Sequence, residues 1–419
     1  MKTTAVRLHG ANDLRLDTFT LPELKDNEVL LHVITDTLCT STYKAAIQGS
    51  NHKRVPPDID KNPIIVGHEM CGEIVKVGSA VSNAWSVGQK VVVQPALKLE
   101  TNYDPGYSYQ FIGGSATYVI VPEIVLQKNC LIPFAGESFF EGSLVEALGC
   151  ILRGYKGMYH TDYTDYTRTD GAKKGGKLAI LGGAGPMGIG TIELSAEYAG
   201  VKQVVVVDMD EKRINWAKSK CSPESFKKRG VDLIYFNTTG VEDVEKALIE
   251  LTDGGFDDVF VMAPVPYLFN LAEKVCAFDG CINFFAGPAV HDMQGSLNLY
   301  RVHYDGIHVV GTAGSIPEDT LDTIKLIEEK KVNAGALVSH ILGLKDVPRA
   351  IMEMAKPNGA KKVCYNDLDI PFFALEELPE LAKTDAMFDK LNEIVKANDG
   401  IWCAEAEKFL LENAPKLKI

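Results

Sequence analysis

Two patterns of hydrophobic and polar positions divide this chain. From Met1 to about Arg153, β-branched runs such as VLLHVIT, IVGHEMCGEIVKVG, QKVVVQPAL and SATYVIVPE are separated by Gly, Pro, Asn and Asp. This pattern predicts a domain made mainly of short strands. From Lys177 onward, apolar strands such as LAIL and VVVVD alternate with helical segments. That alternation predicts βαβ units with a parallel sheet, so we expect an α/β protein.

Other segments lie between and after these two regions. The stretch MYHTDYTDYTRTDGAKKGG is rich in Thr, Tyr, Asp and Lys and predicts an exposed linker or insertion. After Gly311, PEDTLDTIKLIEEKK predicts a helix and HILGLKDVPRA a short strand. The tail from about Pro371 to Ile419 has the apolar spacing of two helices, MFDKLNEIVKAN and AEAEKFLLENA, and no predicted chemistry.

Composition and charge narrow the class of protein. The 419 residues are 46% hydrophobic and 24% charged, as in soluble globular proteins, and their number favours two domains. No secretory signal pattern and no uninterrupted apolar run of membrane-spanning length is present, so we expect a cytoplasmic protein without membrane segments. A formal charge of −13 disfavours a nucleic-acid surface. Nine scattered cysteines without a C-x-x-C motif predict reduced, mostly buried thiols.

A glycine-rich segment, LAILGGAGPMGIG, follows one apolar strand and opens a helix. Gly183, Gly185 and Gly188 form G-x-G-x-x-G, the fingerprint of a dinucleotide-binding turn. We expect the first glycine to permit the tight turn, the second to admit the pyrophosphate, and the third to let helix and strand pack closely. Pro186 and Met187 begin the helix, whose free N–H groups favour phosphate.

An acidic residue completes the fingerprint. Asp208 ends the strand VVVVD, twenty residues after Gly188. We expect its carboxylate to accept hydrogen bonds from the adenosine ribose and to repel a 2′-phosphate, which favours NAD over NADP. Arg213 is placed where it could reach such a phosphate, so NADP remains open.

Four residues of the first region are candidate metal ligands. Cys39 lies in DTLCTST, His68 and Glu69 in GHE, and Glu146 in SLVEALGC. Taken singly, a cysteine is usually a small buried hydrophobe, a histidine a hydrogen-bonded core residue, and a helical glutamate a solvated one. Together they are the ligand types that zinc prefers, and a catalytic zinc takes three of them and keeps one position open.

The order and spacing of these motifs resemble the medium-chain dehydrogenase/reductase superfamily of zinc alcohol and polyol dehydrogenases. The resemblance runs from Met1 to about Asn366 through GHEMCGEIVKVG, GGSATYVIVP, VEALGC, LAILGGAGPMG, VVVVD and RVHYDGIHVVGTAGS. It implies a mainly β GroES-like catalytic domain at 1–154 and 316–419, with the extra C-terminal helices. It also implies a Rossmann dinucleotide-binding domain at 155–315.

Within that superfamily, Glu146 at the third ligand position is similar to the sorbitol and sugar dehydrogenase branch. The insertion near 159–174 and the long tail most resemble the L-sorbose-1-phosphate reductase group. The resemblance implies that Cys39 and His68 bind zinc, and that Glu146 is the third ligand or holds the zinc-bound water. Glu69 is an alternative ligand with a catalytic role, and Ser41 carries the proton-relay hydroxyl.

Three positions depart from the family pattern. The stretch PALKLETNYDPGYSYQFIGG lacks the four cysteines of the structural zinc lobe, so we expect one catalytic zinc per chain and no structural zinc. Thr42 stands where many members carry an Asp that supports the metal site. Lys44 stands where a relay histidine is often found, which leaves the outer part of the proton path unassigned.

The expected function is hydride transfer between a nicotinamide cofactor and a secondary alcohol or ketone of a polyol or ketose. A sugar phosphate such as L-sorbose 1-phosphate is one candidate substrate. Lys53, Arg54, Arg153 and Arg301 are candidate phosphate-binding residues, although each is also an ordinary surface charge. Two alternatives remain, a zinc-free quinone or enone reductase and a non-catalytic dinucleotide-binding protein. The resemblance also implies a homo-oligomer, either a dimer or a tetramer.

Overall fold

The chain forms two compact units in a computed structural model that describes residues 1–288, 290, 292–356 and 359–418. The first, here called the β-rich unit, comprises Met1–Glu146, Ser315–Lys330 and Leu337–Ile419. The second, the parallel-sheet unit, comprises Ala147–Gly314 and Lys331–Ala336.

Strands and helices follow the order that the two hydrophobic patterns predict. The strands are β1 Lys2–Gly10, β2 Asp13–Thr20, β3 Val29–Leu38, β4 Ile64–Ile65, β5 Met70–Val77, β6 Lys90–Val93, β7 Tyr118–Val121, β8 Leu131–Pro133, β9 Tyr159–Asp162, β10 Thr167–Asp170, β11 Lys177–Leu181, β12 Gln203–Asp208, β13 Asp232–Asn237, β14 Phe256–Val261, β15 Cys276–Phe284, β16 His308–Val310, β17 Val338–Gly343, β18 Lys361–Tyr365 and β19 Phe373–Ala374. The α-helices are α1 Thr40–Gln48, α2 Glu123–Gln127, α3 Phe139–Lys156, α4 Pro186–Leu194, α5 Glu211–Lys220, α6 Pro223–Lys228, α7 Val244–Thr252, α8 Pro266–Val275, α9 Leu299–Tyr304, α10 Pro317–Glu328, α11 Val347–Glu353, α12 Leu378–Leu381, α13 Ala386–Ala397 and α14 Ala404–Asn413. Short 3₁₀ helices span Gly49–Asn51, Ser79–Val81, Ala334–Leu337, Leu344–Asp346 and Leu375–Glu377, and a π-helical turn, Ser195–Ala199, continues α4.

The β-rich unit is built around β3. Its sheet runs β19-β17-β18-β3-β5-β6-β8, with β7 also paired to β3, and a second sheet runs β2-β1-β4. Nine of the ten β3 residues are buried, as expected for a strand with neighbours on both edges and covered faces. Cys39, the residue that follows the carboxyl end of this buried strand, is half-buried.

The parallel-sheet unit has six strands in the order β13-β12-β11-β14-β15-β16, and every neighbouring pair is parallel. Consecutive βαβ connections start from β11 in the centre and reverse direction between β11 and β14. In such sheets, ligands bind beyond the carboxyl ends of the strands at this reversal, where the glycine-rich turn follows β11. The predicted α/β class with a Rossmann-type sheet is confirmed.

The segment expected to be an exposed linker or insertion forms a β-hairpin. Strands β9 and β10 pair antiparallel from Tyr159↔Asp170 to Asp162↔Thr167. Its Thr and Tyr residues favour extended backbone, although the short run of polar residues gives no alternation that would predict a strand. The expected exposure of β10 is confirmed, because all four of its residues are exposed. On β9, by contrast, His160 points inward and contacts both Asp258 and Asp279.

The C-terminal tail forms the two expected helices, α13 and α14. Glu407 on α14 is buried, and its carboxylate accepts the backbone N–H groups of Phe139 and Phe140 at the start of α3. It also accepts the hydroxyl of Tyr365, at 3.0 Å. The first N–H groups of a helix have no partner within the helix, so the tail satisfies two of them on the helix that carries Glu146.

Two further expectations concern thiols and membranes. All nine cysteines are free and six are buried, which confirms the predicted reduced and mostly buried thiols. Among the helices of the described residues, none has both the length and the apolar character needed to cross a membrane.

Candidate functional site

Three of the four candidate metal ligands meet in the β-rich unit. One ligand atom each from Cys39, His68 and Glu69 lie within 4.8 Å of one another. Strand pairing produces this meeting, because Asp36 on β3 lies opposite Met70 on β5. The residues just after β3 and just before β5 are therefore neighbours. Thiolate, imidazole and carboxylate are the donor set that zinc prefers, so the residues present fit this metal.

His68 is oriented by hydroxyl groups on both ring nitrogens. Its Nδ1 lies 3.3 Å from the Thr42 hydroxyl, and its Nε2 lies 3.2 Å from that of Tyr107 and 3.4 Å from that of Ser41. Burial lowers the pKa of His68, and the charge of Glu146 opposes that change. A neutral imidazole is the form that binds a metal. Thr42 thus occupies the place of the family's supporting Asp and contacts His68 with a hydroxyl instead.

The loop before His68 is shaped by a buried carboxylate. Asp36 accepts the N–H of Glu69 at 3.2 Å and the hydroxyl of Ser115 at 2.7 Å. Gly67 has φ of +89°, and a β-carbon there would overlap the Asp36 carboxylate. This position therefore needs glycine both for its backbone conformation and for space, which explains the first residue of the GHE motif.

Glu69 has a partner that the sequence did not reveal. The Lys361 Nζ contacts both carboxylate oxygens of Glu69, at 2.6 Å for Oε2, and both side chains are almost fully buried. Burial raises the pKa of Glu69 and Lys361 opposes the rise. The register that pairs Lys362 on β18 with Leu38 on β3 places Lys361 beside the end of β3. An ammonium group and a metal ion would compete for this carboxylate.

Glu146, on α3, is half-buried. Its negative charge favours the protonated forms of His68, Lys361 and Tyr107. This effect on the pKa opposes that of burial at His68 and Lys361 and adds to it at Tyr107. Glu146 therefore lies within electrostatic range of the same group of residues as Cys39.

Ser41 connects the ligands to a tyrosine that was also missed. Its hydroxyl donates to Cys39 Sγ at 3.0 Å and accepts from the Tyr107 hydroxyl at 2.7 Å. Burial raises the pKa of Tyr107 well above its usual value, so the phenol keeps its proton. Tyr107 lies in the stretch that lacks the structural-zinc cysteines, and no motif in that stretch marks it.

The glycine-rich turn lies between β11 and α4. Gly182 has a left-handed backbone, with φ of +69°, and a β-carbon on Gly183 would lie 2.6 Å from the Ile180 carbonyl oxygen, so both positions need glycine. A β-carbon on Gly188 would overlap the Gly183 carbonyl oxygen, so the third glycine does permit close packing of α4 against the turn. Gly185 precedes the helix and Pro186 is its first residue, which leaves the first N–H groups of α4 available to an anion.

Asp208 and Arg213 lie next to this turn. The buried Asp208 carboxylate accepts the N–H of Ala184 at 3.1 Å and the N–H groups of Met209 and Asp210. Arg213 Nη2 lies 3.4 Å from the same carboxylate. A β-carbon on Gly185 would be 3.1 Å from this guanidinium nitrogen. Asp208, the candidate for the ribose hydroxyls, and Arg213, the candidate for a 2′-phosphate, are thus paired with each other beside the turn.

Comparison with known proteins decides the family. Residues 25–130 match the alcohol dehydrogenase GroES-like domain, and residues 186–329 match the zinc-binding dehydrogenase model. The chain is 40% identical to the L-sorbose 1-phosphate reductase of Klebsiella pneumoniae over 421 residues and 39% identical to the mannitol-1-phosphate 5-dehydrogenase of Aliivibrio fischeri over 413 residues. Each alignment covers 98% of both proteins. The chain belongs to the zinc-type medium-chain dehydrogenase/reductase family.

The fold of this dehydrogenase has solved counterparts. The crystal structure of 2R,3R-butanediol dehydrogenase from Bacillus subtilis superposes with a TM-score of 0.72, covering 87% of this chain and all of that one at 23% identity. The predicted GroES-like and Rossmann parts are confirmed. So is membership of the polyol dehydrogenase branch, an enzyme family of alcohol and polyol dehydrogenases. The comparisons give no support to the quinone reductase or non-catalytic alternatives.

The structure of this dehydrogenase separates the four candidate phosphate-binding residues. Arg301 is used internally, since it bonds to Asp305 at 2.9 Å and to the carbonyl oxygen of Cys276. Arg153 lies on the part of α3 that belongs to the parallel-sheet unit. Arg54 lies in the β-rich unit, over the ring of Tyr107 at 4.9 Å, and Lys53 is its exposed neighbour. Lys53 and Arg54 belong to the same unit as the candidate ligands.

Proposed function

We propose that this protein is a zinc-dependent, nicotinamide-linked dehydrogenase that interconverts a secondary alcohol and a ketone in a polyol or ketose. The observation that carries the proposal is that Cys39 and His68 meet beside two carboxylates in a chain of this family: Glu69 is within 4.8 Å of both, and the charge of Glu146 acts on the pKa of His68. Two relatives of about 40% identity are named for substrates that are 1-phosphates of a polyol and a ketose. A phosphorylated polyol or ketose, with L-sorbose 1-phosphate as one example, is therefore the favoured substrate class.

We assign one zinc ion to Cys39, His68 and Glu146. Glu146 is preferred over Glu69 as the third ligand because Lys361 already neutralises the Glu69 carboxylate. Glu69 remains the alternative ligand if that ion pair opens. A bound zinc would supply a Lewis acid for the substrate oxygen. We propose no second, structural zinc.

The protein's own residues would handle the proton. Ser41 Oγ accepts a hydrogen bond from the Tyr107 hydroxyl at 2.7 Å, so Tyr107 would orient Ser41 to accept the proton of the substrate alcohol while the proton of Ser41 passes to solvent water. In the direction of ketone reduction, the same pair would deliver a proton to the substrate oxygen. The path does not need a histidine at the position of Lys44.

The cofactor would lie on the glycine-rich turn. The N–H groups at the start of α4, near Pro186, Met187 and Gly188, would bind the pyrophosphate. Asp208 would accept the ribose hydroxyls, which favours NAD, whereas Arg213 would support NADP if it turned from Asp208 to a 2′-phosphate. A bound nicotinamide would supply or receive the hydride.

The decisive assay is a substrate screen at the nicotinamide absorbance, run with both cofactors, with metal analysis of the same preparation. We expect one zinc per chain and turnover of a polyol or ketose that chelation abolishes. Full turnover after complete metal removal would instead support the zinc-free quinone or enone reductase. Cofactor binding without turnover of any polyol or ketose would support the non-catalytic alternative. A cytoplasmic location and a dimeric or tetrameric assembly remain predictions from the family resemblance.

A further inference from the structure

A group of basic residues lies beside the buried ring of Tyr107. It consists of Lys44 on α1 and of His52, Lys53 and Arg54 on the segment that follows, and is called here the basic loop. His52 stacks on the Tyr107 ring with 6.0 Å between ring centroids, and the Arg54 guanidinium lies 4.9 Å from the same ring. Because the Tyr107 hydroxyl is 3.2 Å from His68, one tyrosine side chain separates the basic loop from the candidate metal ligands.

The Arg54 guanidinium is held through its Nε atom and through one of its faces. Its Nε pairs with Asp104 at 3.1 Å, and the plane rests on Tyr107. In the described part of the chain, the terminal nitrogens Nη1 and Nη2 make no hydrogen bond, and the side chain is 30% exposed. Two parallel N–H groups on a fixed guanidinium match the oxygens of a phosphate.

The backbone of the basic loop is also fixed. The Ser108 hydroxyl donates to the Arg54 carbonyl oxygen at 2.6 Å, and the Arg54 N–H lies 3.3 Å from His52 Nδ1. Asp104 in turn accepts the N–H of Leu97 at 2.9 Å. A binding group whose supports are already hydrogen-bonded loses little entropy when its ligand arrives.

The charges of this loop favour an anion. Burial and, to a lesser extent, the positive charges of Arg54, Lys53 and Lys44 together lower the pKa of His52 to about 4. The positive charges of Arg54, Lys53 and Lys44 therefore all act on the region around His52. Asp104 is the opposing charge, but it faces Nε of Arg54 and leaves the terminal nitrogens to a ligand.

We propose that Arg54 and Lys53, supported by Lys44, bind the phosphate group of a phosphorylated polyol or ketose. The reacting carbon of that substrate would lie near Cys39 and His68, one tyrosine side chain away. This assignment rests on the proposed function and adds to it the residues that select the phosphorylated substrate. The loop would provide uniform binding through the phosphate, so it would act mainly on KM.

The test compares a phosphorylated ketose with the same ketose lacking phosphate, in Arg54→Gln, Lys53→Gln and the native holoenzyme. We expect the native enzyme to prefer the phosphorylated ketose. Arg54→Gln should lower kcat/KM for it by about 10- to 100-fold, which is the contribution of a charge-assisted hydrogen bond. The unphosphorylated ketose should change by less than about threefold. Arg15→Gln, which removes an exposed arginine paired with Asp13, is the matched control and should change neither.

Inorganic phosphate provides a second readout that does not depend on turnover. It should inhibit the native enzyme competitively and bind it in a calorimetric titration, and Arg54→Gln and Lys53→Gln should weaken this binding. The assignment would be overturned if Arg54→Gln lowered kcat/KM equally for the two ketoses. It would also be overturned if neither Arg54→Gln nor Lys53→Gln changed the binding of inorganic phosphate. Equal native activity on the two ketoses would overturn it while leaving the proposed dehydrogenase intact. No turnover of any polyol or ketose would contradict the proposed function instead, and the phosphate titration would still decide the role of the loop.

Discussion

The glycine-rich turn and the candidate metal group are built in opposite ways. The turn is one continuous stretch, Gly182–Gly188, and it works through backbone N–H groups and the absence of side chains. The metal group joins Cys39, the His68–Glu69 pair, Glu146 and Lys361, which lie on four separate segments brought together mainly by pairing with β3. The first is a local property of the sequence, and the second is a property of the sheet.

The two regions also differ in what they bury. The turn buries uncharged backbone atoms in close contact, so a substitution that adds volume should destabilise it. The metal group buries an ion pair, Glu69 and Lys361, together with His68 and beside the half-buried Cys39. A substitution that removes one member of this ion pair should destabilise the protein, because an unpaired charge in the interior is costly. Mutations should therefore break the two regions by different mechanisms.

The largest expected effect is on the metal group. His68→Ala should abolish zinc retention and lower kcat by more than about 100-fold, since even the loss of a supporting partner of a ligand costs about 10- to 100-fold. Metal analysis and initial rates on one preparation check both. His303→Ala, on an exposed histidine, should leave both unchanged. A His68→Ala protein with full zinc and full turnover would remove His68 from the site.

The next effect is on stability. Lys361→Met leaves Glu69 buried without its cation and should reduce the free energy of unfolding by about 3–5 kcal/mol. Lys383→Met, which breaks an exposed pair with Glu380, should cost no more than about 1 kcal/mol. Urea denaturation measures both. Adding Glu69→Gln to Lys361→Met should recover much of the loss, and the absence of any recovery would show that the pair is not the cause.

The turn should respond to added volume. Gly188→Ala places a β-carbon against the Gly183 carbonyl and should cost about 1–3 kcal/mol of stability together with weaker NADH binding. Gly311→Ala adds the same atom where the nearest neighbour is 4.0 Å away. Fluorescence titration with NADH should separate the two variants, and equal binding in both would mean that the close contact is unimportant for the cofactor.

A smaller effect is expected for the proton path. Tyr107→Phe keeps the ring beneath Arg54 but removes the hydroxyl bonded to Ser41, and should lower kcat by about 10- to 100-fold, in the range of other groups that support a metal site. KM should change little, which distinguishes this role from phosphate binding. Tyr109→Phe, on the same segment, is the control. An unchanged kcat in Tyr107→Phe would take Tyr107 out of the path.

The smallest effect is a pH slope in the parallel-sheet unit. Burial lowers the pKa of His160, but its hydrogen bonds and its attraction to Asp258 and Asp279 outweigh this, so the pKa is raised. A raised pKa in the folded state gives stability that is complete below the unfolded value and is lost as the pH rises through the folded one. Urea midpoints between about pH 6 and 9 should fall more steeply for the native protein than for His160→Gln. Parallel slopes would argue against this contribution.

Sequence reasoning succeeded where the signal was local. The glycine turn, the helix after it and Asp208 are adjacent or joined by one βαβ unit, so strand and helix patterns were enough to place them. The left-handed backbone of Gly182 was not predicted, because two consecutive glycines leave open which of them adopts it. Cys39 and His68 were found through motif spacing, and their meeting follows from the pairing of β3 with β5.

The residues that were missed depend on long-range register. Lys361 looks like an ordinary charge at the start of a strand, and only its position beside the end of β3 makes it the partner of Glu69. Tyr107 lies in a segment without regular structure, so no periodicity predicts that it points at Ser41. The strands β9 and β10 were not predicted within the expected linker or insertion, because its polar residues lack alternation. A reliable strand register for β18 would have found Lys361.

The most direct test of the account is X-ray absorption spectroscopy at the zinc edge on the holoenzyme, paired with its turnover. We predict one zinc per chain with a single sulfur neighbour at about 2.3 Å, the Cys39 thiolate, and nitrogen and oxygen neighbours at about 2.0–2.1 Å. Cys39→Ser should remove the sulfur signal together with activity. A fully active protein without zinc, or zinc without a sulfur neighbour, would contradict the account.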